Sequence, residues 1–241
     1  KANISFIQKH AEWADIIHFQ KCFTYSSLPA IISGILQNKP IHYDWDDWEY
    51  EIFYFQPLNN FVGYFLNLVE TLLPRMVDTV SVASDELKKL CLQRGVKPTR
   101  IFMAPVGADI EKFRPDINGK IVREEHDIEA ESHLILYLGQ LHGAQYAELF
   151  LQAAALLLKK FENLTFLVVG KGARFGNLHL LSEQLRISHK FIFTGAIPHE
   201  KVPEYISAAD IAVACFEDTK QVRCKSPLKV CEYMAMGKAI V

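Results

Sequence analysis

Short apolar runs alternate with longer stretches in which apolar positions recur every three or four residues, and the alternation runs through nearly the whole chain. Strand and helix units in that order predict parallel sheets packed against helices, an α/β fold. The first half reads as a strand over 16–19, a helix over 28–36, a strand over 40–43, an aromatic helical region over 50–73, a strand over 78–82, a helix over 84–92 and a strand over 101–104. Ser84 is placed to cap its helix, because its hydroxyl can accept from the free amides of the first turn. Between 109 and 132 the pattern lapses into Glu111-Lys112-Phe113-Arg114-Pro115 and a charged run, which is where a linker is expected. Beyond it come strands over 134–138, 165–169, 191–194 and 211–214, with helices over 147–160, 178–185, 200–208 and 228–236. Strands such as LTFLVVG are apolar on both faces, as a sheet covered on both sides requires. Two domains follow, 1–115 and 116–241, and two such halves joined by a linker make a cleft.

Composition narrows the classes. With 26 basic against 28 acidic residues there is no positive excess to hold a nucleic-acid backbone, so a nucleic-acid partner is not expected. No run approaches the roughly 20 apolar residues of a membrane span, and no apolar signal stretch opens the chain. The five cysteines follow no metal-binding spacing and read as reduced thiols of a cytosolic protein. A start at Lys1 without methionine, and a strand that begins at the last residues, read as marks of a fragment.

In open parallel sheets ligands bind beyond the carboxyl ends of the strands, so those segments carry the candidate chemistry. Gly139-Gln140-Leu141-His142-Gly143 and Gly170-Lys171-Gly172 can bring bare backbone close to a phosphate, although an ordinary tight loop has the same composition. Ser226-Pro227 suits a helix start, with serine as cap, whose free amides would attract a phosphate. Glu232, inside that helix, could accept from both hydroxyls of a ribose, or be a solvated helix glutamate. In the first half, Asp44, Asp46 and Asp47 crowd the end of a strand, where like charges raise each other's pKa. A solvated acidic turn is the alternative. Without a second group of ligands the cluster is not read as a metal site. The stripe Phe61, Phe65, Leu68, Val69, Leu72 and Leu73 is expected to be core, with an acceptor groove or a membrane contact as the alternatives.

LILYLGQLHGAQYAELFLQAAALLL, FLVVGKGA, FIFTGAIPHEKVPEYISAADIAVACF and SPLKVCEYMAMGKAIV together resemble the donor-binding domain of retaining glycosyltransferases of the GT-B fold, group 1 (family four) type. Upstream, IFMAPVGADIEKFRP is similar to the family's entry into the linker. The resemblance implies two Rossmann-like domains facing a cleft, both truncated, and transfer of a sugar from a nucleotide-diphosphate sugar with retention, using no cofactor and no essential metal. It implies a sugar or lipid-linked acceptor and a cytoplasmic protein, at the membrane surface in many relatives. Donor contacts would fall on Gly139, Gln140, Gly143, Gln145, Lys171, Ser226, Pro227, Leu228, Lys229 and Glu232, and the catalytic acceptor-side carboxylates on Asp46 and Asp47. Gln140 and Gln145 stand where the family carries a basic diphosphate clamp, and Cys224 where it carries a first glutamate. A non-catalytic GT-B subunit that binds a nucleotide-sugar or serves in assembly is therefore the alternative. A nicotinamide dehydrogenase is disfavoured, since 170–176 spaces its glycines as GxGxxxG and no acidic residue ends the next strand.

Overall fold

The computed structural model describes residues 2–54, 60–142 and 146–241. The chain divides into two compact units, Lys1–Val106 with Asp218–Ser226, and Gly107–Glu217 with Pro227–Val241.

The first unit runs α1 (Ala2–Ala11), β1 (Ile17–Gln20), α2 (Thr24–Gln37), β2 (Ile41–Trp45), α3 (Glu49–Tyr54), α4 (Asn60–Met76), β3 (Thr79–Val82), α5 (Asp85–Gln93) and β4 (Ile101–Met103). The strands pair in parallel in the order β1-β2-β3-β4. The register sets Ile17 beside Ile41 and Tyr43 beside Val80, and these side chains, with Phe19, Trp45 and Val82, point into one core with Leu66, Leu73, Leu87 and Leu90. The alternate residues share the other face, where the His18 and His42 rings stack 5.1 Å apart. Pro29 inside α2 leaves the Tyr25 carbonyl without its usual donor four residues on, and the Asn3 side-chain amide of α1 donates to it at 3.5 Å. Ser84 caps α5 as expected, its hydroxyl accepting from the Leu87 amide at 3.3 Å and donating to the Cys224 carbonyl at 2.9 Å.

The later segment of this unit carries α10 (Lys220–Arg223) and buries Cys224 in the same core.

The second unit contains α6 (Lys120–Glu125), β5 (His133–Leu138), α7 (Ala147–Leu157), β6 (Leu164–Val169), α8 (Phe175–Gln184), β7 (Phe191–Gly195), α9 (Val202–Ala208), β8 (Ile211–Val213), α11 (Leu228–Ala235) and β9 (Ala239–Ile240). Its sheet is parallel in the order β7-β6-β5-β8-β9. Leu134 and Leu136 enter one core with Val202, Ile206 and Tyr233, while Ile135 and Tyr137 enter another with Phe150, Leu151 and Leu178. Helices thus cover both faces, which is why β5 and β6 read as continuous apolar runs.

The linker expected over 109–132 is instead part of the second unit, and the division falls after Val106 rather than after Pro115. Phe113 and Val122 are buried in its core, and Arg123 donates to the Ala208 and Ser132 carbonyls and to Asp210. One guanidinium and a few apolar side chains spaced irregularly, Phe113, Val122 and Ile128, dock this stretch without making an amphipathic period. Gly119 is required there, since a Cβ would collide with the backbone of Ala208.

Replacing Ser84 with alanine removes a cap and a tie to 224, and should lower the stability of the first unit by about 1 kcal/mol in urea denaturation. A midpoint within error of the unmutated protein would show the cap to be idle.

Candidate functional site

In the second unit strand order reverses between β5 and β8, and a parallel sheet has its ligand crevice beyond the carboxyl ends at such a reversal. The first residue after β5 is Gly139 (φ +150) and the first after β6 is Gly170 (φ +151), both in a region that favours glycine. The Gly139 amide donates to the Val169 carbonyl and the Gly170 amide to the Gly195 carbonyl, each at 2.9 Å, so the ladder continues past the strands. A Cβ on Gly170 would run into the Gly139 carbonyl oxygen, and one on Gly172 into the Leu141 carbonyl. Glycine is needed here for backbone to lie on backbone. The Leu141 amide donates to the Lys171 carbonyl at 3.1 Å and locks the two loops together.

Lys229 of α11 sits at this reversal. Its ammonium lies 4.9 Å from the Tyr137 ring centre and 5.9 Å from that of Phe216, which follows β8. A Cβ on Gly139 would stand 2.6 Å from Nζ, so the glycine makes room for the lysine. Glu232, three residues on, shares that side of α11 and is 4 % exposed. Burial pushes its pKa up, against the opposing pull of His199 and Lys229.

The structure alters the expected helix start. The N-cap of α11 is Pro227, with no side-chain cap, because its extended backbone (φ −71, ψ 113) leaves Ser226 one residue too far back. Ser226 belongs to the first unit, where its hydroxyl accepts from the Val106 amide at 3.0 Å. Leu228, Gln140 and Lys171 are exposed on the second unit, while Gly143 and Gln145 lie outside the described residues. Arg223 donates to both oxygens of Asp218 at 2.6 and 2.7 Å.

In the first unit, β2 delivers the chain into the acidic turn. Asp46 and Asp47 come together there with Glu49, and Lys21, the first residue after β1, places its ammonium 2.9, 3.2 and 2.7 Å from the three carboxylates in that order. The Gln20 amide also donates to Asp46 at 3.0 Å. Burial raises the pKa of Asp47 and of Glu49, and Lys21 only partly reverses it. Burial works against the Lys21 charge as well, yet hydrogen bonds to Glu49 and Asp46 hold its pKa above the ordinary value. Asp44 does not join this group. It points to the other face of the sheet and accepts from Ser81 at 2.5 Å, with His42 Nε2 3.0 Å from the same hydroxyl. Lys225 lies in the field of Asp47 and Glu49, which offset the lowering of its pKa by burial. Lys21 and Glu49 are not among the sequence-predicted site residues, although Lys21 holds the position directly after a strand that marks candidate chemistry.

Residues 119–241 match the family described as glycosyl transferases group 1. The chain belongs to this family. It is 26 % identical over 148 residues to D-inositol 3-phosphate glycosyltransferase 2 of Catenulispora acidiphila, covering 58 % of this chain and 34 % of that protein. It is 24 % identical over 155 residues to the phosphatidylinositol N-acetylglucosaminyltransferase GPI3 subunit of Saccharomyces cerevisiae, covering 64 % and 34 %. The chain therefore spans about a third of the length of these curated relatives. The crystal structure of Anabaena Alr3699/HepE in complex with UDP superposes with a TM-score of 0.78 at 15 % identity, covering 98 % of this chain and 62 % of that one. The two parallel sheets of this group 1 member are thus those of the GT-B fold.

Gly170→Ala should cost more than about 2 kcal/mol, because the backbone it would strike cannot retreat. Gly176→Ala, in α8 with open space around it, should instead add up to about 1 kcal/mol. Urea titration of both variants checks the contrast, and equal midpoints would refute it. Removing the shared cation by Lys21→Met should raise the pKa values of Asp47 and Glu49 further. Carboxyl-carbon NMR titration reads this, and unmoved midpoints would detach Lys21 from the group.

Proposed function

We propose that this group 1 member transfers a sugar from a nucleotide-diphosphate sugar to an acceptor hydroxyl with retention of anomeric configuration. The observation that carries the reading is Lys229 and Glu232 on one side of α11 at the β5/β8 reversal, with the bare backbone of Gly139 beside them. An ammonium at that point suits a leaving diphosphate, and a carboxylate one turn on suits the paired hydroxyls of a ribose. Gly139 admits a phosphate close to its backbone, and Gln140, Gly143, Gln145 and Lys171 complete the donor loops on this reading, with Pro227 and Leu228 opening the helix. Structures of HepE with UDP and with UDP-glucose support a uridine donor.

On the same reading Asp46 and Asp47 of the first unit address the acceptor hydroxyl or the donor sugar. Lys21 keeps them from repelling each other. The leaving phosphate takes the acceptor proton, so neither carboxylate needs to be a strong base, and no metal or cofactor enters. A sugar or lipid-linked acceptor is supported by the relatives named for inositol phosphate and phosphatidylinositol. No helix among the described residues is long and apolar enough to cross a membrane. The exposed side chains of Tyr64, Phe65, Leu68 and Leu72 on α4 support work at the surface of one, on the cytoplasmic side.

A second reading, a nucleotide-sugar-binding subunit without turnover, is favoured by Gln140 at a clamp position and by the pairing of Arg223 with Asp218. Radiolabelled UDP-sugars offered to the full-length protein separate the two. Transfer or hydrolysis supports the enzyme, and tight binding without either supports the subunit. Glu232→Ala should weaken UDP binding at least tenfold with the melting temperature unchanged, and unaltered affinity in calorimetry would remove Glu232 from the site.

A further inference from the structure

Glu70 is a charged residue on α4 with 0 % exposure, a costly place for a carboxylate unless its surroundings are built for it. They are. One carboxylate oxygen accepts from the Trp45 indole at 3.0 Å and from the Glu49 amide at 2.9 Å, and the other accepts from the Tyr50 amide at 3.0 Å. Trp45 ends β2, and Glu49 and Tyr50 open α3, whose first-turn amides have no partner within their own helix. Glu70 therefore grips both ends of the short turn that carries Asp46 and Asp47.

The support behind Glu70 is specific. Pro74, four residues on, has no N–H to give the Glu70 carbonyl, and the Arg94 guanidinium donates to that oxygen at 2.9 Å. The same guanidinium lies 4.6 Å from the ring centre of Trp45, so one cation holds the backbone of Glu70 and the side chain that Glu70 bonds. The turn thus hangs from Glu70, Trp45 and Arg94.

We propose that Glu70 is the positioning residue of the acidic turn: its carboxylate, braced by Arg94, fixes the span between Trp45 and Glu49 and so sets Asp46, Asp47 and Glu49 around Lys21. All three partners of the carboxylate are N–H donors, so a proton on it would face no acceptor among them, and loss of the charge would weaken the three charge-assisted bonds. Burial raises the Glu70 pKa to about 7, against the pull of the Tyr50 and Glu49 amides, the Trp45 indole and Arg94. The other titratable groups in its field are Cys22 after β1, Tyr43 of β2 and Cys224 of the 218–226 segment. On this proposal the turn is held by the ionised carboxylate above neutrality and loosened as it gains a proton below it. The catalytic consequence rests on the transfer reading above, whereas the positioning itself does not.

The test is nitrogen-15 NMR of the full chain between pH 6 and 8. The Trp45 indole signal and the amides of Asp46, Asp47, Glu49 and Tyr50 should titrate together with one midpoint near 7. In Glu70→Gln that shared titration should vanish, with the 46 and 47 amides displaced at every pH. Amides of 46 and 47 that stay fixed while those of 45, 49 and 50 move would overturn the proposal, and this holds from the unmutated chain alone if the variant does not fold. Where UDP-glucose is turned over, Glu70→Gln should lower kcat at least tenfold at pH 7.5 while leaving KM for UDP-glucose and UDP affinity unchanged. A loss confined to KM or to UDP affinity would contradict it. Absence of turnover in the unmutated protein would count against the transfer reading and leave the NMR result to decide Glu70.

Discussion

Every strand pairing described in the two sheets is parallel, and from that constraint the placement of the candidate chemistry follows. Parallel neighbours cannot be joined by a tight turn, so each strand must hand the chain to a crossover and begin again at the same edge. The carboxyl ends of all strands in a sheet then lie side by side. Lys21 after β1 and the acidic turn after β2 become neighbours through this geometry alone, and so do Gly139 after β5 and Gly170 after β6. Where strand order runs one way, as in the first unit, the ends form a row. Where it reverses, as between β5 and β8, the crossovers leave in opposite directions and leave a gap that Lys229 reaches.

Both sites hold charge in poorly solvated surroundings, and in both burial weighs more on the carboxylates Asp47, Glu49 and Glu232 than the local cations compensate. Lys21 serves three carboxylates, yet Asp47 and Glu49 remain harder to ionise than free side chains. Lys229 and His199 oppose the same effect at Glu232 without cancelling it. Such an imbalance is expensive for a purely structural ion pair, where a well-packed apolar replacement is often at least as stable. Its repetition on two sheets fits residues kept for what they bind.

The elements were legible in the sequence because periodicity is local. The strands and most helices fall within a few residues of their expected places, and Ser84 caps where its position before an apolar stripe indicates. Three kinds of fact were not local. α6 has too few turns to show a period, and what docks it is Arg123 reaching the Ala208 carbonyl 85 residues away, which composition cannot reveal. Ser226 sits where a cap belongs, but Pro227 takes the extended position ahead of α11 and sends the serine to Val106. The third is alternation across a pleat: Asp44 and Asp46 are two residues apart and share a side in a regular strand, yet β2 ends at Trp45, so Asp46 turns away to Lys21 while Asp44 stays with Ser81. Glu70 was invisible for a related reason, since one glutamate in an apolar helix reads as its solvated face until the donors from β2 and α3 are seen around it.

On the proposed reading, a diphosphate enters a crevice whose described cation is Lys229 and whose carboxylate is Glu232. With glutamine at 140 and Arg223 committed to Asp218, the compensation usually shared among several basic side chains concentrates on that lysine. Its ammonium lies against the faces of Tyr137 and Phe216, which favour the charged form. Burial raises the pKa of Glu232 against the pull of His199 and Lys229, and its carboxylate can meet ribose hydroxyls with hydrogen bonds. On that reading the glutamine at 140 weakens the leaving group's support while the ammonium of Lys229 and the carboxylate of Glu232 still address the donor.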